Sequence, residues 1–191
     1  MLRIEGKRIY LRDHLASDLA VFHSWLSDPA VTHYLSRRTR SLKESLIVLA
    51  ESLQENDRRT RTKFHFAIVL RENNAIIGDA GFTIEERSQS GGIADLGYFL
   101  LQPYWGQGYA TEAAGLILGY CFTVLKLHKV TAGCDAENLA SERVMIKCGM
   151  MREAYRRKHH FVRGEWRDRV EYAVLHEDWI KDQDSSDQAA S

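Results

Sequence analysis

The sequence predicts an α+β domain, a mixed α/β arrangement in which one sheet is flanked by helices. Three observations carry this expectation. Residues 93–101 are apolar and aromatic enough for a strand, a short turn holding Gly106 and Gly108 follows, and Ala113, Leu116, Ile117, Tyr120, Cys121 and Val124 then recur at helical spacing. Residues 129–134 read as a further strand, parallel to the first, with a helix over residues 109–125 as the crossover. Residues 153–162 and 166–175, joined at Arg163-Gly164, read as a hairpin.

Taken in order, residues 7–12 alternate as a first strand with Ile9 and Leu11 on one face. Ser17 is placed to cap a helix through Leu19, Phe22, Trp25 and Leu26 that ends near Asp28-Pro29. Ser41 and Glu44 have capping-box spacing, opening a helix expected to bury Leu42, Leu46, Leu49 and Leu53. Residues 64–70 and 75–84 read as strands joined by a turn at Glu72-Asn73-Asn74, and residues 88–92 as a polar glycine loop. Asn138 opens a short helix that ends at Gly149, where a C′ glycine belongs. Tyr155, Phe161 and Trp166 look like hairpin core. Residues 1–181 are expected to form one domain, and the small, polar residues 182–191 a disordered tail.

Composition bounds the function. At 191 residues, with 45% hydrophobic and 27% charged residues, the chain suits one globular domain with a sizeable core. Its 26 Lys and Arg balance 26 Asp and Glu, so no global charge draws it to nucleic acid or to an anionic membrane. Two local basic clusters, Arg37-Arg38-Thr39-Arg40 and Arg58-Arg59-Thr60-Arg61-Thr62-Lys63, read as a solvated helix end and loop, with a docking surface for an acidic partner as the alternative. Cys121, Cys134 and Cys148 show no metal or CxxC spacing, which fits reduced thiols. The N-terminus has no apolar signal core, and a cytoplasmic protein is expected.

Gly106 and Gly108 can take positive φ and let backbone amides converge, and the next helix adds free N–H groups and the positive end of its dipole. Such a place binds phosphate or pyrophosphate. The spacing matches neither the P-loop nor the Gly-x-Gly-x-x-Gly dinucleotide fingerprint, because Thr111 stands where the third glycine would be.

The surrounding residues resemble the GNAT superfamily of acetyl-coenzyme A-dependent N-acetyltransferases, whose loop signature is Gln/Arg-x-x-Gly-x-Gly/Ala. Here the loop reads Trp105-Gly106-Gln107-Gly108-Tyr109-Ala110, with Trp105 in place of Gln or Arg. That departure is similar to the branch of RimJ/RimL-type ribosomal-protein N-terminal acetyltransferases. The branch carries a Gly-Tyr strand and Tyr-Trp-Gly-x-Gly-Tyr-Ala-Thr-Glu-Ala, as at Gly97-Tyr98 and from Tyr104 to Ala113, then Asn-x-x-Ser, as at Asn138 and Ser141. The resemblance covers nearly the whole chain. It implies a V-splayed mixed sheet of about seven strands and four helices, and acetyl-coenzyme A as cosubstrate without a metal.

By the same resemblance, the turn from Trp105 through Gly106, Gln107, Gly108, Tyr109 and Ala110 to Thr111 grips the pyrophosphate. The pantetheine arm pairs with the backbone of Phe99, Leu100 and Leu101. Asn138 bonds that arm, and Ser141 donates a proton to the leaving thiolate. Asp95 stands about where relatives place a general base, with Glu85 and Glu86 as rivals. The residues themselves leave other roles open: Asn138 also suits a helix cap, Ser141 a surface hydroxyl, and Asp95 a strand-end carboxylate. The branch favours a peptide or protein N-terminal amine as acceptor. The alternatives are a small amine (an aminoglycoside, polyamine or amino acid) and a non-catalytic acyl-coenzyme A-binding protein. No nucleic acid or membrane partner is expected, and a homodimer is left open.

Overall fold

The computed structural model describes residues 1–33 and 40–181. Arg37, Arg38 and Thr39 of the first basic cluster and the polar tail from residue 182 onward lie outside that range. Eight strands form one sheet: β1 (Arg3–Glu5), β2 (Ile9–Asp13), β3 (Lys63–Leu70), β4 (Ile76–Ser88), β5 (Gly91–Leu100), β6 (Lys129–Asp135), β7 (Met151–Val162) and β8 (Glu165–Leu175). Their spatial order is β1-β2-β3-β4-β5-β6-β8-β7. The strand beyond the seven expected is β1, whose three residues pair with β2. Helices α1 (Leu19–Ser27) and α2 (Leu42–Asn56) lie on one face of the sheet, α3 (Tyr109–Thr123) and α4 (Leu139–Lys147) on the other.

The pairing of β5 with β6 is parallel, as the crossover through α3 requires. It runs from Ile93 opposite Lys129 to Leu96 opposite Ala132 and stops. Both strands continue, β5 to Leu100 and β6 to Asp135, so the sheet opens into a V at its centre.

Two apolar layers hold this shape. Ile117, Leu118 and Phe122 of α3 and Met145 of α4 pack on Phe66, Phe82, Leu96 and Val130 of the sheet. On the other face Phe22 and Trp25 of α1 and Leu49 of α2 cover Phe99 and Leu101. Helix α4 ends in the expected glycine: Gly149 has φ +75°, with Met150 N–H bonded to Met145 O and Gly149 N–H to Ile146 O. The Ser41–Glu44 capping box is also present.

Three details differ from the sequence reading. Helix α2 buries Ser45, Leu49 and Ser52, while Leu42 and Leu46 are more than half exposed. Ser45 Oγ sits 2.9 Å from His23 Nδ1 of α1, and this polar contact turns the leucine stripe outward. The cap of α1 is Asp18, after a short 3-10 turn (Ala16–Asp18), and not Ser17. Tyr155, Phe161 and Trp166 are exposed rather than core. Phe161 and Trp166 face each other across the hairpin, ring centroids 5.4 Å apart, beyond the reach of the helices. The turn beneath them has positive φ at both Arg163 and Gly164, as a two-residue type I′ turn demands. Of the second basic cluster, Arg58 pairs with Glu55, whereas Arg61 reaches inward to Asp13 (2.7 Å) and covers the Phe64 ring.

A buried polar cluster joins α1 to the sheet. His14, 1% exposed, bonds Asp79 Oδ2 through Nε2 (2.7 Å), and its Nδ1 lies 3.6 Å from Asp18 Oδ2. Asp18 in turn takes both terminal nitrogens of Arg12 (2.7 and 2.9 Å). Burial disfavours a charged ring, but Asp18 and Asp79 outweigh it and lift the His14 pKa to about 8. Burial also opposes charge on Asp18, and His14 and Arg12 reverse that, holding its carboxyl well below the usual range.

Because the folded pKa of His14 exceeds its ordinary value of about 6.5, its protonation contributes stability below pH 6.5 that is lost as pH rises through about 8. The pair of values corresponds to about 2 kcal/mol, or about 4–8 °C in Tm for a chain of this size. The Tm advantage of the unaltered protein over His14→Gln should therefore shrink by that amount between pH 6 and pH 9 in calorimetric scans. A difference that stays level across this range would show that the ring does not titrate there.

Candidate active site

Strand alternation decides what β5 offers to the V. Leu101 N–H donates to Ile77 O of β4 (2.9 Å), so odd-numbered residues of β5 turn their amides toward β4. Gly92 O accepts from His128 N–H (2.9 Å) and Ala94 O from Thr131 Oγ1 (3.2 Å), so even-numbered residues face β6. Beyond Leu96 no ladder to β6 remains, and the amides of Tyr98 and Leu100 point into the gap. The three residues expected to line the pantetheine arm are thereby divided. Leu100 faces the gap; Phe99 and Leu101 turn their amides to β4 and their side chains to Trp25 and α1. Tyr98, which sequence reasoning singled out only as half of a Gly-Tyr pair, belongs with Leu100.

The turn after β5 is built from the same end. Trp105 Nε1 donates to Leu100 O (2.7 Å), tying the loop to the strand tip with an indole where Gln or Arg is usual. Gln107 Nε2 closes the loop on Pro103 O (2.9 Å). Gly106 and Gly108 have φ of +72° and +83°, and Gly108 is the cap of α3 with no side chain bonded to the helix end. A Cβ on Gly106 would meet nothing within 4 Å, so conformation and not crowding within the chain calls for glycine. The first amides of α3, at Tyr109, Ala110 and Thr111, open onto this exposed turn.

Helix α4 supplies the other side. Asn138 Oδ1 accepts the Ser141 N–H (3.1 Å), so Asn138 does cap the helix. Ser141 Oγ lies 3.1 Å from the Tyr98 hydroxyl, which also donates to Ser141 O (3.0 Å). Tyr98 thus spans the two elements, and burial raises its pKa so that it keeps its proton. Cys148 Sγ reaches Thr111 O (3.7 Å), joining the end of α4 to the start of α3. Burial pushes Cys134 and Cys148 up to about 11, leaving both as thiols at neutral pH.

On the α1–α2 face, glycines make a floor. Gly81 stands opposite Gly97 in the β4–β5 register, and Gly133 follows Ala132, the last residue paired with β5. A Cβ on Gly97 would meet nothing within 4 Å, and one on Gly133 would strike the Arg169 guanidinium. Asp95 precedes Gly97 by two residues on this same face, half-buried, and accepts from Thr131 Oγ1 (3.2 Å). Burial raises its pKa, Thr131 offsets part of the rise, and the negative charge of Glu85 adds to it. Glu85 is the extra residue of a β-bulge between Ile84 and Glu86, and both glutamates are exposed. Asp95 thus combines a pKa raised by burial with a place two residues from Gly97, whereas Glu85 and Glu86 lie exposed at the bulge.

Sequence reasoning missed Arg8. Its Nη1 donates to Gln107 O (2.9 Å) and its Nε to Glu112 Oε2 (2.8 Å), 104 residues away. No local signal marks it, because the contact depends on how the first strands lie against α3. Among the described residues, no three His, Cys, Asp or Glu side chains are grouped so as to hold a metal ion.

Comparison with known proteins agrees with this architecture. The chain is 29% identical over 178 residues to the uncharacterized N-acetyltransferase YnaD of Bacillus subtilis, covering 93% of this chain and 99% of that one. It is 28% identical over 116 residues to the [ribosomal protein uS5]-alanine N-acetyltransferase of Escherichia coli, covering 61% of this chain and 59% of the relative. A crystal structure of a GNAT-family acetyltransferase from Bacillus anthracis superimposes with a TM-score of 0.80 at 28% identity, over 92% of this chain and 99% of the other. The family described as acetyltransferase (GNAT) domain matches residues 8–151, and the chain, with its splayed sheet and glycine turn, belongs to it.

Proposed function

We infer that this chain, as a member of that family, transfers an acetyl group from acetyl-coenzyme A to an amine. We propose that in this chain the transfer is direct, that Asp95 is the base and Ser141 the proton donor, and that the acceptor is the α-amine of a peptide or protein N-terminus. The observation that carries this reading is the groove at Gly97. One end opens to the amides of Tyr98 and Leu100 and the glycine turn; the other holds Asp95.

The residues present fit a coenzyme A ester: two positive-φ glycines, an uncapped helix start and two strand amides facing a gap. The ester supplies an activated acetyl group. Asp95 takes the proton that the attacking amine loses. Tyr98 N–H, aimed into the gap, is placed to receive negative charge on a carbonyl oxygen. The Tyr98 hydroxyl, bonded to Ser141 O, holds Ser141 Oγ 3.1 Å away beside the gap, where the serine proton goes to the departing sulfur.

An α-amine suits such a site. Its pKa of about 8, against about 10.4 for a lysine side chain, leaves more of it neutral at pH 7, so a modest base suffices. A polycation would call for several uncompensated carboxylates, and two of those near this groove are matched by cations. Glu171 lies 2.8 Å from Arg156 and 3.7 Å from Arg169, and Asp135 lies 3.4 Å from Arg167. The name of the Escherichia coli relative, which specifies an alanine of a ribosomal protein, points the same way.

Four outcomes are expected. Gly108→Val should weaken coenzyme A binding by about 1–3 kcal/mol, since valine resists the left-handed conformation and crowds the turn. A folded variant with unchanged affinity by calorimetry would remove the pyrophosphate from this turn. Ser141→Ala should lower kcat by about a hundredfold with little change in donor KM, as loss of a general acid does. Asn138→Ala should mainly raise that KM, with about 1 kcal/mol lost from the helix cap. On a panel of short peptides, spermidine and kanamycin-like amines, thiol release should be fastest with a peptide. A faster polycation would overturn the acceptor, and no turnover with any amine would favour a binding protein.

A further inference from the structure

The turn has a support that its own residues do not provide. Gly106 and Gly108 lower the cost of positive φ, and they also leave the turn many other conformations. Arg8, in the short connection between β1 and β2, restricts them. Its Nη1 holds the Gln107 carbonyl at 2.9 Å and its Nε the Glu112 carboxylate at 2.8 Å, while its guanidinium lies 4.5 Å from the centre of the Tyr109 ring. The backbone N–H of Arg8 adds a bond to Glu112 Oε1 (2.7 Å). One planar fork therefore spans the last peptide of the turn and the first turn of α3.

The peptide plane supplies the consequence. In a trans peptide the carbonyl and the N–H point in opposite directions. With Gln107 O fixed against Arg8, the N–H of Gly108 is directed away from it, to the side where the uncapped amides of α3 open. The same guanidinium pairs with Glu112, whose charge would otherwise stand unscreened in the first turn beside an anionic ligand. Burial disfavours that charge, but the Arg8 backbone and side chain hold the carboxyl below its usual range.

We propose that Arg8 is a positioning residue for the donor: by fixing the Gln107–Gly108 peptide against Glu112, it aims the turn's amides at the pyrophosphate without touching it. This rests on the reading that the turn holds the pyrophosphate. It gives the pairing of Arg8 with a backbone carbonyl a role distinct from general stability.

The test compares two donors, acetyl-coenzyme A and S-acetylpantetheine, which lacks the pyrophosphate. Loss of a charge-assisted hydrogen bond predicts about a tenfold rise in the acetyl-coenzyme A KM for Arg8→Ala, with kcat at saturation within about twofold. With S-acetylpantetheine the change in kcat/KM should stay below about twofold, because no phosphate is there to be misaligned. Arg8→Lys should recover only part of the affinity, since an ammonium cannot hold carbonyl and carboxylate in one rigid fork. If Arg8→Ala does not fold, Arg8→Lys carries the same two-donor comparison, with a smaller but still donor-specific loss. Equal losses with both donors, full recovery in Arg8→Lys, or an unchanged acetyl-coenzyme A KM would overturn the role of Arg8. If the unaltered protein shows no preference for acetyl-coenzyme A over S-acetylpantetheine, the pyrophosphate reading falls first, and the role of Arg8 with it.

Discussion

The parallel ladder between β5 and β6 ends at Leu96 and Ala132, and the rest of the site depends on that failure of pairing. A continuous ladder would consume the amides of Tyr98 and Leu100 and bury the strand edges in backbone hydrogen bonds. Because the strands part, those amides keep a direction but lose their partner. α4 then comes close enough for Ser141 to meet the Tyr98 hydroxyl. The opening is held from both sides, by the α3–α4 layer on one face and by Trp25 against Phe99 on the other.

Charge is arranged so that little of it stands alone. Arg12, Asp18, His14 and Asp79 form one buried chain of ion pairs, and the half-exposed Arg8 pairs with Glu112 at the turn. Buried charges of this kind are costly to separate, so each pair fixes the relative position of two distant segments more than it adds to stability. Asp95 stands apart from these pairs. Its partner is a neutral hydroxyl, and burial together with Glu85 works against its charge. A carboxylate left in that condition is suited to gaining a proton.

The parts legible in the sequence are those written locally. The two glycines of the turn, the helical recurrence of α3, the Ser41–Glu44 box, the Asn138 cap and the Arg163-Gly164 turn each need only neighbouring residues, and each is found where its pattern places it. What was not legible depends on register or on distant contacts. That Tyr98 and Leu100, and not Phe99 and Leu101, face the gap follows from which strand edge β4 occupies. The outward roll of Leu42 and Leu46 follows from a serine–histidine contact between two helices. His14 with Asp79 and Arg8 with Glu112 join residues far apart in the chain, so no periodicity or spacing could announce them.

The strand order has a meaning for how the chain is made. β8 enters between β6 and β7, so the outer edge of β6 stays open until the last strand has been synthesised. On its other side β6 already lacks a partner over its final residues, where it parts from β5. A nascent chain therefore carries a strand with two incomplete edges, the kind of surface that pairs with a second chain. The finished sheet ends instead on β7, interrupted by bulges and lined by Arg152, Arg156, Arg157 and Lys158. Those charges and irregularities resist further strand addition. The vulnerable edge is the temporary one, and completion of the hairpin exchanges it for one that cannot readily grow.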